Sequence, residues 1–391
     1  MTPRLVIITE IIAPYRIPVF NALAKRPEID LHVIFLAESD LTIRQWHVYK
    51  DEIKFSYEVL PSWRKRWLGY NILLNDGVFS ALNKNSPDAI LCGGYNYPAS
   101  WQTAYWAQAR RVPLLLWLES TALDRRGGHS LVEFMKRRFL NRCNAFVVPG
   151  KSSLDYLEEL GISGPRIFTA PNAVDVSLFS ELADKARRDE GDTRIRSSLP
   201  SRYFLCVGRL VRAKGIFDLL EAYSGLDEKI REKVGLVFAG DGPDRVELMK
   251  RASRITPGTI HCPGFVHRED LPEFYALADA LIFPTHTDPW GLVVNEAMSC
   301  GITVIATDVA GCVASLVKDG LNGFVVSARD VTQLTRSMAR LADNSGLRVE
   351  MGVRSRERIQ AFTPTVWADG VVKATQSVLL DRTPNRISQD L

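Results

Sequence analysis

The sequence predicts two doubly wound parallel α/β domains facing a cleft. Three observations lead there. Short apolar, β-branched runs without strict polar alternation recur along the 391 residues, as expected of parallel strands covered on both faces. Helical stretches separate these runs, so each strand feeds a right-handed crossover. The length also exceeds one common core, and a charge-dense interruption divides it into two similar halves.

The elements follow in order. The first series of strands reads Leu5–Thr9, Leu31–Leu36, Ala89–Cys92, Leu114–Leu118, Ala145–Val148 and Ile167–Thr169. The second reads Tyr203–Val207, Val234–Ala239, Thr259–His261, Ala280–Phe283, Thr303–Ala306 and Gly323–Val326. Helical stretches include Leu131–Arg142, Ser152–Glu159, Gly215–Tyr223, Arg245–Ala252, Leu271–Ala278 and Val331–Leu341. Between the two series, Ser180–Ser198 is polar, crowded with charge and followed by Pro200. The expected organisation is a domain over 1–175, a linker over 176–200 and a second domain over 201–365. A C-terminal helix within 366–391 is expected to pack back on the first domain, followed by a polar tail. Ligands belong at strand C-termini in such folds.

Composition narrows the class. The chain is 46% hydrophobic and 24% charged, which excludes a disordered protein. No apolar run approaches the roughly 20 residues of a membrane span. Leu5–Ile8 is too short for a signal-peptide core and is soon followed by Glu10. Six cysteines without a CxxC pair read as buried thiols in a reducing compartment, so a cytoplasmic location is expected. The net charge of +4 is unevenly placed. Residues 61–151 hold 13 Lys and Arg against 5 Asp and Glu, while residues 176–391 hold 28 of each sign. A basic stretch suits nucleic acid, anionic lipid or a phosphorylated substrate, or is simply a solvated face. It carries no recognisable nucleic-acid motif, so nucleic acid is not expected as a partner.

Two segments carry chemistry. In the first, a strand ends at Pro284, a loop brings His286, Asp288 and Trp290, and Gly291 precedes a helix starting near Leu292. Such a helix start suits a phosphate, through free N–H groups and the positive end of the helix dipole. Asp288 and Glu296 flank this start, one in the loop and one a turn into the helix. A carboxylate there can accept two hydrogen bonds from the vicinal hydroxyls of a ribose; the bland reading is an acid pair on a solvated face. His286 shows no obvious partner in the sequence, and Trp290 reads as a packing residue. In the second segment, a strand ends at Val207, Gly208 turns the chain, and Arg209 and Lys214 follow. Two cations beyond a strand end suit a diphosphate, or are exposed loop charges.

Taken together, these pieces resemble a family 4 glycosyltransferase of the GT-B fold. The resemblance rests on Pro171-Asn-Ala-Val-Asp175, Val207-Gly-Arg-Leu-Val211 with Lys214-Gly215, Ala239-Gly-Asp-Gly-Pro243 and Pro263-Gly-Phe-Val266. It continues through Asp288 to Glu296 with Trp290-Gly-Leu, and Glu296-Ala-Met-Ser-Cys-Gly301. The motifs run in family order over about 170–326 and are weaker in the first half.

The resemblance implies a retaining, metal-independent transferase using a nucleotide-sugar donor, with no cofactor. No Asp-x-Asp pair occurs in the chain. Arg209 and Lys214 would hold the diphosphate and stabilise the leaving group. Glu296 would bind the ribose, and Asp288, in place of the family's usual Glu, would contact the donor sugar. The backbone of Gly208, Gly291, Leu292 and Val293 would approach the phosphates. Gly264, Phe265 and Val266 would line the base. Two departures fall in the first half. Glu119 stands where many members have His, and reads either as a sugar or acceptor contact or as a strand-end acid. Ile12-Ala-Pro-Tyr-Arg-Ile-Pro18 replaces a glycine-rich loop, and Arg16 there reads either as a third cation for the diphosphate or as an anchor against a surface acid. Gly127-Gly128 reads as an acceptor-side loop.

In this fold family the first domain takes the acceptor. The basic stretch then points to an oligosaccharide or lipid-linked acceptor and to peripheral contact with the anionic inner face of the cytoplasmic membrane. Trp63-Arg-Lys-Arg-Trp67 and the basic helix containing Lys136 and Arg137 are the elements expected to make it. Bacterial-type polysaccharide or glycolipid assembly is the implied setting. A nucleotide-sugar-binding protein without transferase activity and a GT-B epimerase are the alternatives.

Overall fold

The computed structural model describes residues 2–39, 47–67, 70–122, 130–255 and 257–380. Gly127-Gly128 and the polar tail beyond Leu380 lie outside them. Two compact units emerge. One comprises residues 1–172 with 364–391, the other 173–363.

The first unit is built on a parallel sheet. Its strands are β1 (Arg4–Ile11), β2 (Asp30–Ala37), β3 (Ser56–Val59), β6 (Ala89–Cys92), β7 (Leu114–Trp117), β8 (Ala145–Val148) and β9 (Ile167–Thr169). The order is β3-β2-β1-β6-β7-β8-β9. The chain runs outward from β1, then returns to β6 on its other side. The crevice where direction reverses lies beyond the C-termini of β1 and β6. Leu5 to Ile8 are buried, as a strand covered on both faces requires.

Between β3 and β6 sits an antiparallel hairpin of β4 (Ser62–Trp67) and β5 (Tyr70–Asn75), which the sequence reading did not anticipate. Trp63 stands opposite Leu74, and both are exposed. Residues directly opposite in such a ladder share a face, so Trp63 and Leu74 lie on one side of the hairpin.

The C-terminal helix Pro364–Leu380 belongs to the first unit and packs on helix Ile17–Ala24 and on β9. Trp367 is fully buried, with its ring centroid 5.1 Å from that of Trp117 and 5.8 Å from that of Phe20. Gly370 permits the approach, since a Cβ there would lie 2.2 Å from the Thr169 carbonyl oxygen. Arg26 pairs with Asp369 at 2.9 Å.

The second unit holds β10 (Tyr203–Val207), β11 (Gly235–Ala239), β12 (Ile260–Gly264), β13 (Ala280–Phe283), β14 (Thr303–Thr307) and β15 (Gly323–Val326). They form one parallel sheet in the order β12-β11-β10-β13-β14-β15. The direction reverses between β10 and β13, whose following loops carry the two motif segments.

The expected linker over 176–200 is corrected here. It folds as helices Val176–Arg188 and Glu190–Arg196 within the second unit. Asp175 caps the first, accepting from the Leu178 amide at 3.0 Å. Val176, Phe179, Ala183 and Ala186 form a buried stripe against helices Leu271–Ala276 and Leu292–Ser299. Composition averaged the charged face with this stripe, so the segment read as polar throughout.

Truncating Trp367 removes a large, fully buried side chain and leaves a cavity that its surroundings fill only in part. Trp367→Ala is expected to destabilise the first unit by about 3–5 kcal/mol. Chemical denaturation should show an early first-unit transition and an unchanged second-unit transition.

Candidate functional site

The site in the second unit begins with the loops following β10 and β13. Gly208 ends β10 with φ +140°, and Gly240 packs so closely that its Cβ would lie 1.9 Å from the Gly208 oxygen. Arg209 follows, exposed at the strand end. The chain then makes a short turn over Arg212–Lys214 and reaches Gly215 at φ +67°. A Cβ on Gly215 would lie 1.8 Å from the Pro284 oxygen, so only glycine lets the two loops touch.

That contact is reinforced by hydrogen bonds. The His286 amide donates to the Ala213 oxygen at 2.9 Å, and Thr285 Oγ1 donates to the same carbonyl at 3.3 Å. His286 Nε2 lies 2.7 Å from Asp218 Oδ2 on helix Ile216–Ser224. His286 therefore has a partner, which sequence reading missed because it lies 68 residues away. Trp290 is buried, and its Nε1 donates to Asn295 Oδ1 at 2.9 Å, a packing role.

The paired loops bring Lys214 and Asp288 together. Lys214 Nζ pairs with Asp288 Oδ2, while Asp288 Oδ1 accepts from the Trp290 amide at 3.1 Å. The carboxylate is thus held from both oxygens. Gly291 then opens helix Leu292–Ser299 at φ +99°, where a Cβ would lie 2.5 Å from the Phe283 ring. No side chain caps this helix start, and Leu292 and Val293 are only partly buried. Their amides are the groups a phosphate could meet.

Glu296 sits one turn into the helix and is partly exposed. Its Oε2 accepts a 2.6 Å hydrogen bond from the Tyr275 hydroxyl. Burial pushes its pKa from 4.5 up to about 7, against the opposing pull of the Tyr275 hydrogen bond and the Arg268 charge. Tyr275 was not singled out from sequence, where it read as one apolar position of a helix.

Gly264 (φ +90°) ends β12. Phe265 follows, exposed and edge-on to His267 with centroids 5.1 Å apart, and Val266 is partly buried. Since the sheet is parallel, this strand end lies on the same edge as those of β10 and β13.

In the first unit the structure brings Arg16 and Glu119 together. Arg16 Nη1 donates to Thr9 Oγ1 at 2.6 Å, and Nη2 lies 3.7 Å from Glu119 Oε2. The guanidinium carbon sits 4.4 Å from the Trp117 ring centroid. Burial opposes the charge, but Tyr15, Glu119 and Glu10 outweigh it and raise the pKa. The two first-half residues expected separately thus form one ion pair.

Helix Ser130–Leu140 exposes Val132, Phe134, Met135, Arg137 and Arg138. Lys136 is on the other face, contrary to expectation. It is only 6% exposed, its Nζ lies 3.1 Å from both Glu133 oxygens, and it sits 4.9 Å from the Tyr156 ring centroid. No helix among the described residues is long and apolar enough to cross a membrane.

Comparison with known proteins converges on one family. The family model described as "Glycosyl transferases group 1" matches residues 188–358, and that described as "Glycosyltransferase Family 4" matches 21–178. A D-inositol 3-phosphate glycosyltransferase of Salinispora arenicola is 27% identical over 221 residues, 54% of this chain and 49% of that protein. An alpha-D-kanosaminyltransferase of Streptomyces kanamyceticus is 32% identical over 175 residues, 44% of each. The chain spans about half the length of the curated relatives it matches. Among solved structures, Anabaena Alr3699/HepE in complex with UDP shares the fold at TM-score 0.75 and 18% identity, over 96% of this chain and 100% of that one. A sucrose-phosphate synthase from Thermosynechococcus elongatus does so at TM-score 0.71 and 17% identity, over 97% and 100%.

The raised pKa of Glu296 makes a stability prediction. Folding favours its protonated form, so its contribution is fullest below pH 4.5 and is lost as pH rises through about 7. Glu296→Gln should therefore melt higher than the parent at pH 8, with the difference shrinking toward pH 5, as measured by thermal unfolding across that range.

Proposed function

This chain belongs to the family 4-type glycosyltransferases of the GT-B fold, and from that premise we propose that it moves a sugar from a nucleoside-diphosphate donor to an acceptor hydroxyl with retained anomeric configuration. The observation that carries this reading is the gathering of Lys214, Asp288 and Glu296 around the start of helix Leu292–Ser299. Anabaena Alr3699/HepE was also solved with UDP-glucose, which favours a nucleotide-sugar donor.

The geometry supports the following proposed roles. Glu296 offers a carboxylate to the vicinal hydroxyls of the ribose. The amides near Gly291, Leu292 and Val293 face the phosphates. Arg209, exposed at the strand end, and Lys214, held by Asp288, take the charge that grows on the leaving diphosphate. In a partly dry site such preplaced cations act without reorganising. Asp288, paired with Lys214, is assigned to contact the transferred sugar. Gly264, Phe265 and Val266 border the base. We assign charge compensation to these side chains and the helix start, so no metal or other cofactor is invoked. The acceptor oxygen would arrive on the face the diphosphate leaves.

The first unit would take the acceptor near Arg16 and Glu119, at the ends of β1 and β7. Its acceptor class is an oligosaccharide or lipid-linked sugar of polysaccharide or glycolipid assembly. The exposed Val132, Phe134 and Met135 beside Arg137 and Arg138 favour peripheral contact with an anionic bilayer from the cytoplasmic side.

Binding, turnover and membrane measurements test this reading. Donors are identified by thermal shift against a panel of nucleotide sugars, since a specific ligand stabilises the fold. With the donor in hand, Glu296→Ala should abolish turnover in a folded protein, and Arg209→Ala should lower kcat on the order of 10²–10³-fold. A chelator should leave the parent rate unchanged. No stabilising nucleotide sugar, or near-normal turnover by Glu296→Ala, refutes the assignment. Separately, the protein should co-sediment with anionic vesicles and not with neutral ones. Replacing Phe134 and Met135 by Ser with Arg137 and Arg138 by Gln should abolish that binding; an unchanged pellet would refute the membrane contact.

A further inference from the structure

The Glu296 carboxylate cannot be understood apart from what lies behind it. Tyr275 comes from helix Leu271–Ala276, is fully buried, and points its hydroxyl at Glu296 Oε2 at 2.6 Å. A buried phenol must spend its single proton on an acceptor, and here that acceptor is one oxygen of the proposed ribose-binding acid. We propose that Tyr275 is a positioning residue for the donor site. Its hydroxyl orients the Glu296 carboxylate through Oε2 and turns Oε1 toward the donor's vicinal hydroxyls. This rests on the proposed role of Glu296.

The physical argument has two parts. The first is geometric. Glutamate has three side-chain torsions, and an unrestrained carboxylate would lose rotamer freedom on gripping a ligand. The hydrogen bond from a fixed ring removes that freedom beforehand. Tyr275 is itself fixed by packing, its ring centroid 6.4 Å from that of Phe179.

The second is electrostatic. The ionised carboxylate is acceptor-only and accepts strongly with both oxygens, as two vicinal hydroxyls and the Tyr275 hydroxyl require. The groups acting on Glu296 are Tyr275 from the facing helix and Arg268 from the loop after β12, while Cys300 on its own helix is in turn raised by the Glu296 charge. Cys206 on β10 faces Tyr275, with Lys214 acting on Cys206. Arg187, Arg356 and Asp184 act on Cys300. Tyr275 and Arg268 are the groups that pull the carboxyl toward ionisation. Tyr275 is itself held well above its ordinary range by burial and the Glu296 charge, so it remains a donor throughout the working pH range.

The test uses the full chain and compares Tyr275→Phe with the parent and with Glu296→Gln. Tyr275→Phe keeps the ring and removes one hydrogen bond to a charged group. The KM for the donor should rise about tenfold with a smaller change in kcat. The acid limb of kcat/KM for the donor should move to higher pH, because the ionised carboxyl has lost a donor. Replacing Tyr275 by 3-fluorotyrosine, a stronger donor of nearly the same shape, should move that limb to lower pH. A role in packing alone would leave the limb in place in both variants. If Glu296→Gln loses donor affinity while neither Tyr275 variant shifts KM or the acid limb, the positioning proposal fails and the role of Glu296 stands. If Glu296→Gln keeps donor affinity and the parent's pH profile, the role of Glu296 fails and the positioning proposal with it. Should Tyr275→Phe fold poorly, the fluorotyrosine profile decides alone: an unmoved limb overturns the proposal.

Discussion

The close approach of Gly215 to the Pro284 carbonyl is the constraint on which the second-unit site depends. Any side chain at that position would separate the loops following β10 and β13. Those loops carry opposite charges, Lys214 on one and Asp288 on the other, and they meet because the backbones touch. The His286–Asp218 pair and the hydrogen bonds to the Ala213 carbonyl then tie the loops at further points. Sheet topology selects the place, since β10 and β13 are the neighbours at which strand order reverses. Glycine chemistry permits the contact, and charge makes it useful.

Glu296, one turn beyond the helix start at Gly291, is partly exposed yet set where burial opposes its charge. Desolvation dominates its ionisation, and the Tyr275 hydroxyl and Arg268 recover only part of what burial costs. A residue selected for folding alone would be apolar or amide there. A carboxyl whose ionisation burial opposes marks this place as a candidate functional site. In the first unit the balance is the opposite: Arg16 lies largely inside, over the Trp117 ring, with Thr9 and Glu119 as polar partners, and its neighbours outweigh burial in favour of the charge.

The basic excess of the first half divides once the fold is known. Lys136 is interior and matched by Glu133, so it offers no charge to a partner. Arg137 and Arg138, one and two residues later, are outside, beside exposed Phe134 and Met135. Net charge over a window therefore overstated the surface, and helical phase decided which cations reach it. The hairpin makes the same point through its ladder, bringing Trp63 and Leu74 onto one exposed face.

By itself, the sequence determined the parallel α/β class, every strand of the two parallel sheets except β3, and the motifs ending in Arg209, Lys214, Asp288 and Glu296. These are local signals. Buried parallel strands are uniformly apolar, and strand-end glycines are required by their own backbone angles. Tertiary structure decided what local signals cannot carry. It turned the charged 176–200 segment into packed helices, because their apolar stripe gains meaning only against helices Leu271–Ala276 and Leu292–Ser299. It set Trp367 of the expected C-terminal helix against Trp117 and Phe20. It gave His286 a partner in Asp218, and Glu296 a partner in Tyr275. Each of these pairs joins residues distant in the chain, and such contacts exist only after the sheet has set which strand ends are neighbours.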